Sequence, residues 1–507
     1  MTVCMIRYVG LDVHKRVIEA CFLDSAGKIL FRRRFDLDRR TLQRFATKVL
    51  RPGDHVALEA TTNCWAVADA LRPHVARVVV SNPMATKAIA LAKVKTDKVD
   101  AHVLAQLLRC DFLPEVWTPD EATRQLRELT GRRSTLVGHR TALRNRIHSV
   151  LAMRLISAPR KLFNAEGLAW LRDLELDPQG RLLIDSDLRQ LDFLQQEIAG
   201  LETELMGRGH PSEAVRLLMT LPGVDVTTAQ ALTAAWGDFG RFPDGDHAAS
   251  YLGLVPSTKQ SAYSCYHGPI TKRGNSQARW MLIEAAQHLD THPGPLGHFF
   301  RRLARKKNRN VAVVAAARKL ALIGWRMLMH NEPYRYAIPR STETKLSRLR
   351  VKATGTRRKS GPKAGEKAVA KLPGGSRTIK PLAEVCQSEG VPAPQPLSSG
   401  ERRTVTEAGC REFVAQIAAT QVVPRRSGGK SQAHGKHGVN APQTDNAKTN
   451  DAARPPASCP DFHRPPADEQ GSSLPPPAPP ASLFSAVPQK KAAVSKSRQS
   501  RKTTLAS

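Results

Sequence analysis

The hydrophobic pattern changes its period along the chain. Tyr8–Val13 and Val17–Leu23 are rich in β-branched and aromatic residues. They meet the chain again at Lys28–Phe35 through the turn Asp24-Ser25-Ala26-Gly27. Thr41–Leu50 has helical spacing, His55–Glu59 (HVALE) reads as a short buried strand, Trp65–Leu71 as a helix and Arg77–Val80 as a strand. Met84–Leu108 reads as helical with a break near Lys95. Three strands joined by tight turns, followed by strands alternating with helices, predict a mixed α/β sheet over residues 1–115.

From about Thr118 to Gly207 the period becomes three to four. Leu126, Leu129, Leu136, Leu143, Ile147 and Leu151 form one stripe, and Leu188, Leu191, Leu194, Ile198, Leu201 and Leu205 another. This predicts two long helices packed as an antiparallel coiled-coil arm over 116–208. Residues 209–338 read as a mostly helical domain with loops. No internal repeat of fixed period is visible.

Composition shifts near residue 340. Ser341–Ser507 carries 28 Lys+Arg against 12 Asp+Glu, 19 of the 35 prolines, three Phe and no Trp or Tyr. Such a segment buries too little apolar surface to offset its ordering entropy. It predicts a disordered, basic, Pro-rich tail over 339–507, with one short helix near Glu407–Ala419. The whole chain has 78 Lys+Arg against 45 Asp+Glu, a net charge of +33. That excess suits a polyanionic partner, because neutralised phosphates release counterions.

No apolar stretch reaches the roughly 20 residues of a bilayer span. The N-terminus lacks the apolar run of a secretory signal. The eight cysteines are scattered and none forms a C-x-x-C pair, which argues against a disulfide framework or a zinc site. Reduced thiols in a cytoplasmic protein without a membrane partner are the expectation.

Within the basic chain, four acids stand at places suited to metal chemistry. Asp12 ends the first strand, in GLDVHK, and Glu59 ends HVALE. Asp97 and Asp100 are three residues apart on a predicted helix, so they share one face. If the first and fourth strands are neighbours, Asp12 and Glu59 end side by side, and a helix crossing that end brings in the other two. Four converging carboxylates repel unless cations neutralise them. Oxygen ligands select Mg²⁺ or Mn²⁺. Two such ions about 4 Å apart can activate a phosphodiester. The plain alternative is a strand cap and a solvated helix face.

Further on, Leu221-Pro222-Gly223-Val224 before a small-residue helix resembles a helix–hairpin–helix. Its turn at Gly223 would aim backbone N–H groups at a phosphate; otherwise it is a packing corner. Next come Gly-Leu-Val-Pro ending at Pro256, a hydroxyl-rich loop, and the basic turn Lys272-Arg273-Gly274-Asn275, a plausible phosphate site. Ser257, Thr258, Ser261, Tyr263, Ser264, Tyr266 and Thr271 all carry hydroxyls, and the residues alone select no nucleophile among them.

GLDVHK, LEAT and KTDKVDA resemble the DEDD motif of a RuvC-like (ribonuclease H-like) domain. Specifically, they resemble the transposases of insertion-sequence family 110. The matching residues are Asp12, Glu59, Asp97 and Asp100. GLVP and ITKRGN resemble the C-terminal transposase domain of that family, and the resemblance covers roughly residues 8–335. It implies that Ser261, five residues after Pro256, is the nucleophile, with Ser264 the competitor. The chain departs from the family pattern in having Ala262 where Gly is usual.

The resemblance further implies DNA recombination through a phosphoserine intermediate, on donor and target DNA, at a composite site of metal-bound acids and serine. It implies a homo-oligomer, a dimer assembling to a tetramer through the arm. It also implies a structured noncoding guide RNA, for which Arg132, Arg133, Arg140, Arg144 and Arg146 offer a basic face on the arm. Two other readings stay open: a metal-dependent junction nuclease using water as nucleophile, and a non-catalytic nucleic-acid binder.

Overall fold

The computed structural model describes residues 6–89, 96–261, 264–356 and 376–424. Its N-terminal part is a five-stranded sheet of order β3-β2-β1-β4-β5. The strands are β1 (Tyr8–Val13), β2 (Val17–Leu23), β3 (Ile29–Asp36), β4 (His55–Glu59) and β5 (Arg77–Ser81). β1–β2 and β2–β3 pair antiparallel, while β1–β4 and β4–β5 pair parallel. β3 is the outer edge, and its exposed Arg32–Arg34 run discourages pairing with another chain there.

Helices cover both faces of the sheet. Val9, Leu11, Ile18, Phe22 and Leu58 pack with α1 (Arg39–Lys48) and α2 (Cys64–Leu71) on one side. Asp38 starts α1 by accepting from the Arg40 and Thr41 amides. After α3 (Pro83–Ile89), α4 (Asp97–Arg109) lies on the other face, where Ala101 and Ala105 meet Cys21 and Leu23. The helix break expected near Lys95 falls at 90–95, outside the described residues. Arg7 ties the sheet to the β4 approach through a buried two-pronged pair with Asp54, at 2.8 and 2.6 Å.

The arm is antiparallel, as the leucine spacing predicts. α5 (Glu121–Ala152) and α7 (Pro178–Gly209) have 32 residues each and flank a short α6 (Ala165–Asp173) that the spacing does not foretell. Ion pairs Arg133–Glu202, Arg146–Asp187 and Arg154–Asp177 set the register. The apolar stripes meet between them, with Leu143, Ile147, Leu151, Ile184, Leu188 and Leu191 buried.

The C-terminal core is mostly helical: α8 (Glu213–Leu218), α9 (Val226–Trp236), α10 (Gly245–Tyr251), a hairpin of β6 (Pro256–Ser261) and β7 (Ser264–Ile270), α11 (Ser276–Gln287), α12 (Pro295–Lys306) and α13 (Arg309–His330). The sheet connects to it along an extended path. The Val116 amide donates to the Val80 carbonyl at 2.7 Å, and the indole of Trp117 then abuts Gly237 under the guanidinium of Arg241.

The expected disordered tail from residue 339 is corrected over two stretches. α14 (Pro339–Thr354) buries Thr342, Leu346 and Leu349, and the Lys345 ammonium donates to the carbonyls of Leu221 and Val224. Beyond it, β8 (Ser376–Ile379), α15 (Leu382–Ser388), α16 (Ser399–Glu407), α17 (Arg411–Ala418) and β9 (Gln421–Pro424) are ordered, where one short helix was expected. Leu382, Cys386, Val391 and Ile417 join the core of the C-terminal domain. A few well-spaced anchors suffice because that core is already built, which a segment-averaged composition conceals. Residues 357–375 and 425–507 of the expected tail lie outside the described residues. Among the described residues no helix is long and apolar enough to cross a membrane.

Candidate active site

Strand pairing brings the first two acids together. In the parallel β1–β4 ladder Leu11 is opposite Leu58. The next residues, Asp12 and Glu59, therefore leave the sheet at the same end. Thr96 caps α4 by accepting from the Val99 amide, which puts Asp97 and Asp100 in the first turn, where the helix dipole favours negative charge. α4 approaches β1 closely because position 10 is glycine: a Cβ there would lie 2.0 Å from the Ala101 carbonyl oxygen.

The result is a tight acidic group. His14 Nε2 lies 3.2 Å from an oxygen of Asp12 and 3.2 Å from one of Asp97. Arg34 reaches the other Asp97 oxygen at 3.4 Å. One ligand atom from each of Asp12, His14 and Asp97 falls within 4.8 Å of the others. Burial holds the Asp12 carboxyl above its usual value; His14 opposes this, and the charges of Asp100 and Asp97 add to it. A carboxylate that resists ionising beside two others invites a cation. Two carboxylates and an imidazole are a fitting donor set for a divalent ion.

Glu59 and Asp100 flank this group without entering the close set. His14 is the residue that the sequence reading missed. No local pattern marks it: it lies just past the end of β1, and only the packing of α4 against that end brings it to the acids.

The second expected site lies on the β6–β7 hairpin. Ser261 closes β6 opposite Ser264, and both are exposed. Ala262 and Tyr263 lie outside the described residues. Lys259 and Tyr266 pair two positions down the ladder, on the same face as Ser261. The hairpin is held at its base by two interlocked turns. A Cβ on Gly253 would meet the Arg273 carbonyl at 2.2 Å, and one on Gly274 the Tyr251 carbonyl at 2.0 Å.

Lys272 adopts a left-handed conformation (φ 54°), and it and Arg273 are exposed. The Asn275 side-chain oxygen accepts from the Ala278 amide and caps α11. The Gly223 turn packs against α11, where a Cβ would lie 2.3 Å from the Ala285 carbonyl. Of the arm arginines, Arg133 and Arg146 are engaged by Glu202 and Asp187, Arg144 stacks on Phe163 at 4.9 Å, Arg140 is half-buried, and Arg132 is exposed.

Residues 9–154 match a DEDD-type family model described as transposase, and residues 215–299 match the model described as the transposase IS116/IS110/IS902 family. The chain belongs to the IS110 family of transposases.

A probable family 20 transposase of Pseudomonas aeruginosa is 28% identical over 344 residues, 64% of this chain and 98% of that protein. The transposase for insertion sequence element IS1111A of Coxiella burnetii is 25% identical, over 65% of this chain and 92% of its own. A pilin gene-inverting protein of Moraxella bovis is 26% identical, over 64% of this chain and 97% of its own. As an IS110-family transposase, the chain is an enzyme acting on DNA. Its DEDD-type domain implies a divalent-metal requirement, and Asp12, His14 and Asp97 offer a place for it.

Proposed function

We propose that this transposase cuts and rejoins DNA through a phosphoserine intermediate, at a composite site made by a RuvC-like acidic centre and Ser261. The observation that carries the reading is the contrast between the two halves. The acids are packed together at one end of the sheet, whereas Ser261 stands exposed at the end of a two-stranded ribbon whose strands are mostly exposed. Such a ribbon is marginal alone and is suited to being received by DNA or another protomer.

Mg²⁺ or Mn²⁺ held by Asp12 and Asp97, with Glu59, Asp100 and His14 beside them, would neutralise these acids and polarise the scissile phosphate. Ser261 attacks phosphorus through Oγ. The Oγ–P bond forms as one P–O bond to the sugar breaks, and the hydroxyl proton leaves with the departing oxygen. The ester energy is kept in phosphoserine, so rejoining needs no nucleotide triphosphate. Lys259, beside Ser261 on the ribbon, and the exposed Lys272 and Arg273 at its base supply positive charge for the phosphates.

Strand exchange needs four cleavages, which suits a dimer of dimers joined through the arm. In this reading a structured guide RNA selects the DNA by base pairing, and the protein holds backbones.

The test is a trapping assay. The full chain, co-expressed with the noncoding flank of its element, is mixed with donor and target DNA and Mg²⁺, then denatured. DNA bound covalently to protein, and lost in both Ser261→Ala and Asp12→Ala, is the expected result. Cleavage that persists in Ser261→Ala with free ends would replace this reading by the water-using nuclease. The completeness of the Asp12–His14–Asp97 group without any hairpin residue makes that nuclease the serious rival.

A further inference from the structure

Glu19 stands directly opposite Asp12 in the β1–β2 ladder and opposite Arg34 in the β2–β3 ladder. Cross-strand partners project from one face. Here it is the face under α4, because Gly10 and its partner Cys21 lie two positions along the same rows, against Ala101. Glu19 is 2% exposed, and its Oε2 has no hydrogen-bond partner among the described residues. A buried carboxylate oxygen left without a donor is costly, and such atoms in native proteins usually await a ligand, water or ion.

Among the described residues, the nearby Arg34, His14 and His102 have other partners, and Arg32, opposite Cys21, acts on that residue's thiol. Arg34 reaches across to Asp97 at 3.4 Å, and His14 lies between Asp12 and Asp97. His102 lies 3.7 Å from the Cys21 thiol through Nδ1. Among the described residues, the cation site one strand away lies on that same face.

We infer that Glu19 is an outer carboxylate of the metal centre, accepting a hydrogen bond from water bound to the cation at Asp12, His14 and Asp97. It is a positioning residue: it does not touch DNA, and it fixes the metal's water shell from the neighbouring strand β2. Partners of this kind orient ligands and bound water, and their loss weakens metal binding. The inference rests on the metal reading of the acidic group, and the experiment separates the two.

Mn²⁺ is titrated calorimetrically into the metal-free full chain, its Glu19→Gln and Asp12→Asn variants, and Arg34→Ala. Thermal melts of each are recorded in EDTA. The expected result is that Asp12→Asn removes binding. Glu19→Gln raises the Mn²⁺ Kd about 10- to 100-fold while its EDTA melt stays at the wild-type temperature. Arg34→Ala does not weaken binding, because its guanidinium competes with the cation for Asp97.

Unchanged Mn²⁺ affinity in Glu19→Gln, with Asp12→Asn still dead, overturns the role of Glu19 alone. Weakening by Arg34→Ala equal to that by Glu19→Gln also overturns it, since Glu19 would then act by holding Arg34. Absence of Mn²⁺ binding in the wild type overturns the metal reading and this inference together. Should Glu19→Gln not fold, Glu19→Asp gives the same readout: it keeps the charge but draws it back, and an unchanged Kd there counts equally against the role.

Discussion

Gly10 and Ala101 are the contact on which the acidic centre depends. The strand backbone at Gly10 lies so near the helix that a Cβ would fall 2.0 Å from the Ala101 carbonyl oxygen. No rotamer can relieve a clash between a Cβ and backbone, so Gly10→Ala must push α4 off β1. Overpacking of this kind costs about 1–3 kcal/mol or more. Asp97 moves with α4, whereas Asp12 stays with β1. Gly10→Ala is therefore expected to lower the melting temperature and to lose Mn²⁺ binding. A variant that melts lower but binds Mn²⁺ normally would show that α4 is not what sets the Asp12–Asp97 distance.

Asp12 and Asp97 also predict a stability effect of unusual sign. The Asp12 carboxyl is held above its usual value, chiefly by burial, with Asp100 and Asp97 adding to it. A carboxyl with a raised folded value binds more protons folded than unfolded. The metal-free fold thus gains from this group at low pH and loses that gain as pH rises through the raised value. Asp12→Asn removes the charge and keeps the shape. In EDTA at neutral pH it should melt higher than wild type, and Mg²⁺ should no longer stabilise it. A lower melting temperature in EDTA would mean that the Asp12–His14 contact outweighs burial and repulsion.

His292 gives the C-terminal domain an acid sensitivity. Its Nδ1 accepts from the Gly294 amide at 3.1 Å, its buried Nε2 has no partner among the described residues, and Phe413 of the ordered extension packs on the ring. Burial, with Arg301 and Lys345 adding to it, pushes its value down to about 4 from 6.5. The unfolded chain therefore binds a proton that the fold refuses between those values. Stability is full above about pH 6.5 and falls as pH drops towards 4, by roughly 3 kcal/mol in all. Melts from pH 7.5 to 4.5 should show this slope, and His292→Gln should flatten it.

How much of this was legible beforehand depends on the range of the interaction. The β1 and β4 runs are nearly continuous apolar segments, and their ends mark Asp12 and Glu59. The three-residue spacing of Asp97 and Asp100 marks one helix face. His14 and Glu19 carry no such mark. One follows a strand and the other interrupts the strand sequence VIEACFL, and only the β1–β2 register with α4 above it places them at the acids. The arm's leucines announced the helix pair, but the partners of Arg133 and Arg146 sit some 69 and 41 positions away and give no local signal. The extension at 376–424 was hidden for a similar reason: its anchors are few and their partners belong to the preceding domain.

The separation of roles predicts complementation. Ser261 lies on an exposed ribbon, and among the described residues the hairpin's hydrogen bonds run within it or to residues 253 and 255 rather than to the N-terminal sheet. A composite site between protomers then draws acids from one chain and serine from another. Asp12→Ala and Ser261→Ala chains, each inactive alone, should together regain part of the DNA–protein adduct when co-expressed. Every adduct should sit on the chain that keeps Ser261, which a size tag on one chain would reveal. Ser264→Ala alone should retain the adduct, because the proposed nucleophile is its cross-strand neighbour Ser261. If the mixture stays inactive while wild type is active under the same conditions, acids and serine of a single chain must meet, and the hairpin must swing to the sheet within one protomer.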